Sequence, residues 1–169
     1  MKVDLRQPLV LENKPLTVGQ KAPDFCLAKL DNFAICDVSL EDFGKKIKII
    51  SCFPSIDTGV CDMQTKKLFS EYGNNEKIVL LNVSSDSLFA FNKWCLANEA
   101  QNTVMLSDYR DHTFAKAYGV NIKDANLIYR SIFIIDEFNF VKYIQLSKGL
   151  TDELDFVQIK QAVEKVLGN

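Results

Sequence analysis

Cys26, Cys36, Cys52, Cys61 and Cys95 are the residues through which this chain could do nucleophilic or redox chemistry. No two of them are spaced C-x-x-C, which argues against a zinc ribbon and against a thioredoxin-type dithiol. An odd count in a mid-sized chain does not look like a secreted disulfide scaffold. The single histidine, His112, limits Cys–His catalysis or a His-rich metal site to one residue, and it reads as a loop or cap position. Cys61 stands apart by its place in the chain. It follows a strand end, Pro54 and the loop 55–60, and it opens a helix. A sulfur there faces unpaired backbone N–H groups and the positive end of the helix dipole, and both favour thiolate, the reactive form.

The elements that must position these side chains follow from punctuation and period. Segments 9–11 and 16–18 read as an N-terminal β-hairpin ended by Gly19. Phe25-Cys26-Leu27 and Phe33-Ala34-Ile35 suit two further short strands, and Ser39 is placed to cap a brief helical turn. Segment 46–53 (KIKIISCF) is β-branched and apolar, short enough for a central strand, and Pro54 stops it. From Cys61 onward Val60, Met63, Leu68 and Tyr72 recur at helical spacing until Gly73. Strand 77–83 follows. Ser84-Ser85-Asp86 then caps a second helix with Leu88, Phe91 and Cys95 on one face. A strand at 104–106, a short helix at 114–118, a strand pair at 132–135 and 140–144, and a helix over 152–167 complete the chain. The last helix draws its apolar side from Leu154, Val157, Ile159, Val163 and Val166. This order predicts an α/β fold, with a mixed central sheet flanked by helices. No repeat or linker divides it, so one domain over 1–169 is expected.

Composition agrees. The chain has 169 residues, 47% hydrophobic and 25% charged, enough to build a core without help from metal or disulfides. Twenty basic against twenty-two acidic side chains, with no run of one sign, argue against a nucleic-acid or anionic-membrane partner. The start, Met1 to Arg6, carries an acid, and the apolar run at 9–11 is too short for a secretory signal. No stretch approaches the roughly 20 apolar residues of a membrane span. A cytoplasmic location is the expectation.

Pro54, Thr58 and Cys61 stand as P-x-x-x-T-x-x-C within PSIDTGVC. This resembles the active-site signature of the peroxiredoxins, and the longer string resembles their thiol peroxidase branch, the atypical two-cysteine members. Lys21-Ala22-Pro23-Asp24-Phe25 after the hairpin, LSDYRD at 106–111 and RSIFIID at 130–136 are also similar to family segments, and Trp94-Cys95 falls where that branch carries its resolving cysteine. Agreement spans nearly the whole chain and thins toward its C-terminus. The resemblance implies a thioredoxin-like fold and a thiol-dependent peroxidase acting on hydrogen peroxide and organic hydroperoxides. It implies that Cys61 attacks the peroxide and becomes a sulfenic acid, and that Cys95 condenses with it into an intramolecular disulfide. Thr58 would place its hydroxyl against sulfur and peroxide, Arg130 would present a fixed cation, and Pro54 would shape and shield the pocket. Such chemistry needs no metal, flavin or haem. Thioredoxin as reductant and a homodimer are likewise implied.

Blander readings compete. Cys26, Cys36 and Cys52 read as small buried hydrophobes, and Phe89, Phe91 and Trp94 as core before dimer surface. Two segments depart from the family: 137–139 lacks a turn glycine, and 96–99 lacks the glycine that eases unwinding after Cys95. A general disulfide oxidoreductase and a non-enzymatic peroxide-sensing protein are the rival functions. Peroxide turnover separates enzyme from sensor.

Overall fold

Short β-branched strands alternating with helices assemble one twisted sheet in the computed structural model, which describes residues 3–100 and 103–168. Met1 and Lys2, part of the start weighed above as a signal, lie outside those residues. The elements are β1 (Leu27–Asp31), β2 (Ala34–Val38), a 3-10 turn (Glu41–Phe43), β3 (Ile47–Cys52), α1 (Gly59–Tyr72), β4 (Ile78–Ser84), α2 (Leu88–Ala97), β5 (Val104–Ser107), α3 (Thr113–Ala117), β6 (Asn121–Ile122), β7 (Leu127–Ile128), β8 (Ser131–Ile135), β9 (Val141–Leu146) and α4 (Phe156–Leu167). The seven-stranded sheet runs β2-β1-β5-β4-β3-β8-β9, with β6 and β7 as a separate pair.

The centre of the sheet is parallel, β3 against β4 and β4 against β5, with α1 and α2 as the crossovers. The flanks are antiparallel. Every residue of β3 and β8 is buried, because helices cover both faces of the central strands. One face packs Ile49, Ile132 and Ile134 against Leu68 and Tyr72 of α1 and Ile159 and Val163 of α4. The same face continues to Met105, which packs with Leu88 and Phe91 of α2. The opposite face packs Ile50, Leu81 and Phe133 against Phe114 and Ala115 of α3. β3 thus ends beside the start of α1, and α2 lies on the same face as α1.

Several sequence expectations are corrected. Segments 9–11 and 16–18 do not pair with each other. Leu11 instead bridges Ile122, Lys21 bridges Phe140, and Leu16 N–H donates to the Tyr118 carbonyl. The early hairpin is β1–β2, paired from Leu27↔Val38 to Asp31↔Ala34. The reason is competition: the N-terminal backbone finds its partners on β6 and beside β9 rather than on itself. Cys26 and Cys36 are exposed, not buried. Cys26 alternates outward from buried Leu27, and β2 is an edge strand that is almost wholly exposed. Phe89 and Val157 also point outward, leaving Phe91, Trp94, Ile159 and Val163 to fill the core.

Helix starts shifted too. Ser39 donates to Asp42 rather than capping the turn. Ser87, not the 84–86 triplet, caps α2 by accepting from Ala90 N–H. The turn after β8 needs no glycine because Asn139 takes the left-handed conformation (φ 67°). Asp136 Oδ1 meanwhile accepts from Phe138 and Phe140 N–H.

Candidate active site

The loop between β3 and α1 is held at both ends. Pro54 is buried directly after β3, where its fixed φ and missing N–H end the strand. Further along, Asp86 grips the loop: Oδ1 accepts from Ser55 Oγ at 2.8 Å, and Oδ2 accepts from Ile56 N–H at 2.7 Å and Ser84 Oγ at 2.6 Å. An acidic residue read from sequence as a helix cap is therefore a clamp on the loop that leads to Cys61. No local pattern carries that signal, because donor and acceptor are thirty residues apart.

Thr58 occupies the N-cap of α1, with extended backbone, yet its hydroxyl accepts no backbone N–H. It lies 2.7 Å from Cys61 Sγ as donor, with the Ser55 carbonyl as an alternative acceptor at 3.1 Å. A single hydroxyl hydrogen serves one acceptor well, and the sulfur is the nearer of the two. Cys61, in the first turn of α1, is fully buried among Phe53, Ile56, Phe91 and Trp94. Thr58 beside it is exposed. The sulfur thus lies in an apolar wall with its hydroxyl partner at the solvent edge.

Arg130 is buried just before β8 and reaches the same sulfur from the sheet. Its Nη2 is 3.3 Å from Cys61 Sγ. The Leu150 carbonyl accepts from Nε at 3.1 Å and Nη2 at 2.9 Å, and Gln64 Oε1 accepts from Nη1 at 2.8 Å. Gln64, three residues after Cys61 on the same helix face, is itself oriented by donating to Ser51 Oγ at 2.7 Å. Gln64 was not singled out from sequence; its i+3 spacing from Cys61 was the available signal. Among the described residues no carboxylate forms an ion pair with Arg130. The partners the buried guanidinium meets are the Leu150 carbonyl, the Gln64 amide oxygen and the Cys61 sulfur. Donors fixed in advance around one sulfur are the arrangement that stabilises a nucleophilic anion and the oxygen anion that leaves it.

The remaining thiols are placed differently. Cys95 is half-buried on α2, and burial pushes its thiol up. Cys52 is fully buried in β3 and pushed up to about 12 by burial, so it holds no thiolate at neutral pH. All five cysteines are reduced, and no cluster of His, Cys, Asp or Glu suited to a metal occurs among the described residues. His112 sits at the start of α3 in the left-handed conformation, with Nδ1 3.3 Å from Ser85 Oγ, away from the sulfur cluster. Asp108 accepts from Phe114 and Ala115 N–H in its place. No helix among the described residues is long and apolar enough to cross a membrane.

Residues 18–144 match the AhpC/TSA family. The chain is 39% identical over 168 residues to a thiol peroxidase of Streptococcus parasanguinis, covering 99% of this chain and all of that one. It is 40% identical over 159 residues to a thiol peroxidase of Staphylococcus haemolyticus, covering 94% of each. Among solved structures, a peroxiredoxin-like protein from Aquifex aeolicus matches with a TM-score of 0.82 at 28% identity, over 94% of this chain and 92% of that one. A thiol peroxidase from Chromobacterium violaceum, at 22% identity, shares the fold with a TM-score of 0.80, over 93% and 91%. These neighbours bear out the thioredoxin-like α/β architecture.

Proposed function

This chain belongs to the AhpC/TSA family, and from that premise we propose that its thiol-dependent peroxide reduction runs through Cys61 as nucleophile and Cys95 as resolving thiol. The observation that carries the assignment is the convergence of Thr58 Oγ1 at 2.7 Å and Arg130 Nη2 at 3.3 Å on one buried sulfur. The Cys61 thiolate attacks the terminal peroxide oxygen. The S–O bond forms as the O–O bond breaks, and the departing alkoxide or hydroxide takes up a proton to leave as alcohol or water. Thr58 and Arg130 stabilise the negative charge as it passes from sulfur to the leaving oxygen. Gln64 keeps the guanidinium in plane, and Pro54 and Asp86 hold the loop.

The Cys95 thiol then displaces water from the Cys61 sulfenic acid, giving the disulfide, and a dithiol donor returns both sulfurs to thiols. Thioredoxin as that donor, a homodimer, a single domain over 1–169 and a cytoplasmic setting belong to the same proposal. Phe89, exposed on α2, supplies apolar surface for a dimer contact. Each step moves two electrons between sulfur and oxygen or sulfur and sulfur, so the residues present account for the reaction without a cofactor.

The test is reductant-dependent consumption of hydrogen peroxide and cumene hydroperoxide by wild type and Cys61→Ser side by side. Many equivalents consumed by wild type and none by the variant is the expected result. One equivalent per wild-type chain would instead mark a sensor. Full activity in Cys61→Ser would overturn the nucleophile assignment.

A further inference from the structure

Asp62 directly follows the proposed nucleophile and Trp94 directly precedes the proposed resolving thiol, and these two neighbours are bonded to each other. Trp94 Nε1 donates to Asp62 Oδ1 at 2.8 Å. The other carboxylate oxygen, Oδ2, accepts from Lys66 Nζ at 2.9 Å on the same helix, so both oxygens are held. The indole ring is buried in the cluster that also contains Cys61 and Phe91. Beyond Trp94, its carbonyl accepts from Asn98 N–H at 3.1 Å and from Asn98 Nδ2 at 2.9 Å, closing the end of α2.

Successive residues of a helix point about 100° apart. On α1, Asp62 faces α2 while the sulfur of Cys61 is turned to Thr58 and Arg130. On α2, Trp94 faces α1, and Cys95 is turned from it by the same angle. A disulfide brings the two sulfurs to about 2.05 Å and the Cα atoms to roughly 4.4–6.8 Å. Cys95 instead lines a cavity with Lys29, Leu30, Phe91 and Met105 that Cys61 does not line, and the Cys61 sulfur is turned to Thr58 and Arg130. Joining them requires the turn carrying one of the cysteines to rewind and to move its immediate neighbour with it. The Asp62–Trp94 bond therefore belongs to the state in which peroxide reacts and is absent from the state in which the disulfide forms.

Resting on the assignment of Cys61 and Cys95 above, we propose that the Trp94–Asp62 hydrogen bond is a latch between the two cysteine-bearing helices that sets how the Cys61 sulfenic acid is partitioned. Two fates compete. In one, the Cys95 thiol attacks the sulfenic sulfur, an S–S bond forms and water leaves. In the other, the sulfenate attacks a second hydroperoxide, gains its terminal oxygen to become sulfinic acid and releases alcohol or water. The latch holds the site shut for the first reaction and lengthens the life of the sulfenic acid, so it favours over-oxidation at high peroxide. Asp62 and Trp94 are positioning residues: neither makes a hydrogen bond to a reacting sulfur, and they act through the helices that carry them.

The test uses the full chain with Trp94→Phe, which keeps a ring in the core but removes the donor, Asp62→Ala, which removes the acceptor, and the double variant. Reduced protein is mixed with one equivalent of hydrogen peroxide. Mass spectrometry of rapidly quenched samples follows the added oxygen on Cys61 and then the loss of two hydrogens in the disulfide. Over-oxidation is counted as turnovers before inactivation at high peroxide with dithiothreitol as reductant. A hydrogen bond to a charged acceptor corresponds to about tenfold in the opening equilibrium. Each single variant is therefore expected to form the disulfide about tenfold faster and to survive about tenfold more turnovers, and Asp62→Ala, which leaves the apolar wall around the sulfur intact, to keep its first-step rate within about twofold. The double variant should gain little beyond either single one, because both remove the same bond.

Disulfide formation unchanged or slower in both single variants, with a normal first step, would overturn the latch while leaving the peroxidase assignment intact. Absence in wild type of both an added oxygen on Cys61 and a disulfide that includes Cys61 would overturn the assignment itself. Should Trp94→Phe lose its folded structure, Asp62→Ala, altered at a half-buried carboxylate, decides the question alone.

Discussion

The Thr58 hydroxyl donates to the Cys61 sulfur at 2.7 Å from the N-cap of α1, where a threonine side chain ordinarily accepts from the backbone of the first turn. The hydroxyl faces the sulfur instead of capping the helix. Thr58→Val is expected to slow the reaction with hydroperoxide by roughly 10²–10³-fold, the effect of losing one preorganised donor. Thr58→Ser should recover most of it. Stopped-flow measurement of the first step checks both, and a loss under about threefold in Thr58→Val would place the reacting oxygen away from this hydroxyl.

Arg130 makes four hydrogen bonds from one buried guanidinium, to Cys61, Gln64 and twice to Leu150. Only a planar fork serves three separate acceptors at once, so Arg130→Lys should fail nearly as badly as Arg130→Met. Both are expected to lose roughly 10²-fold or more in the first step. Gln64→Met, similar in shape but without polar atoms, should lose about tenfold by releasing the guanidinium from its plane. Equal rates in wild type and Gln64→Met would show that the Leu150 carbonyl alone is enough to orient Arg130.

The Asp86 carboxylate collects three donors from the loop and from β4. Removing it leaves the Ile56 N–H and the Ser55 hydroxyl without their acceptor, so the loop carrying Thr58 loses its anchor. Asp86→Ala is expected to slow the first step about tenfold, whereas Asp86→Asn, which retains one acceptor oxygen, should sit between it and wild type. The graded order of the three rates is the readout.

Cys95→Ser should keep the first peroxide reaction and lose turnover with a dithiol donor. After one equivalent of peroxide, intact-mass analysis should show an added oxygen on Cys61 in the variant. Wild type should show loss of two hydrogens and a peptide linking Cys61 to Cys95. A wild-type link from Cys61 to Cys26 or Cys36, both exposed, would reassign the resolving role.

Thiol labelling of the reduced protein provides a separate check. At pH 8 iodoacetamide should modify exposed Cys26 and Cys36 readily and Cys95 slowly, since burial raises the Cys95 thiol. Cys52, pushed up to about 12 inside β3, should label only in denaturant. Its thiol stays neutral in the fold from low pH up through the alkaline range. The fold therefore loses stability as pH rises above the ordinary thiol value near 8.5, where an unfolded chain would ionise. Labelling of Cys52 in the native state at pH 8 would contradict its burial.

Local information in the chain was enough to single out Cys61. A strand stopped by Pro54, a turn-rich loop and an apolar 3.6 period beginning at Val60 place Cys61 at a helix start wherever the helix packs. Thr58 and Pro54 came with it, because they lie within one turn and one loop of that sulfur. The central strands were also legible, since two-sided burial favours largely apolar runs such as 132–135 (IFII). Pairing between distant segments was not. Whether 9–11 met 16–18 or Ile122, whether Cys36 lay on an inner or an edge strand, and whether Asp86 capped α2 or clamped the loop depended on which backbone and side-chain donors folding brought together. The same holds for Gln64 and Leu150 around Arg130 and for Asp62 with Trp94. Hydrogen bonds between residues twenty or more positions apart leave no periodic trace in a sequence, and competition among many equivalent donors is settled only by tertiary packing.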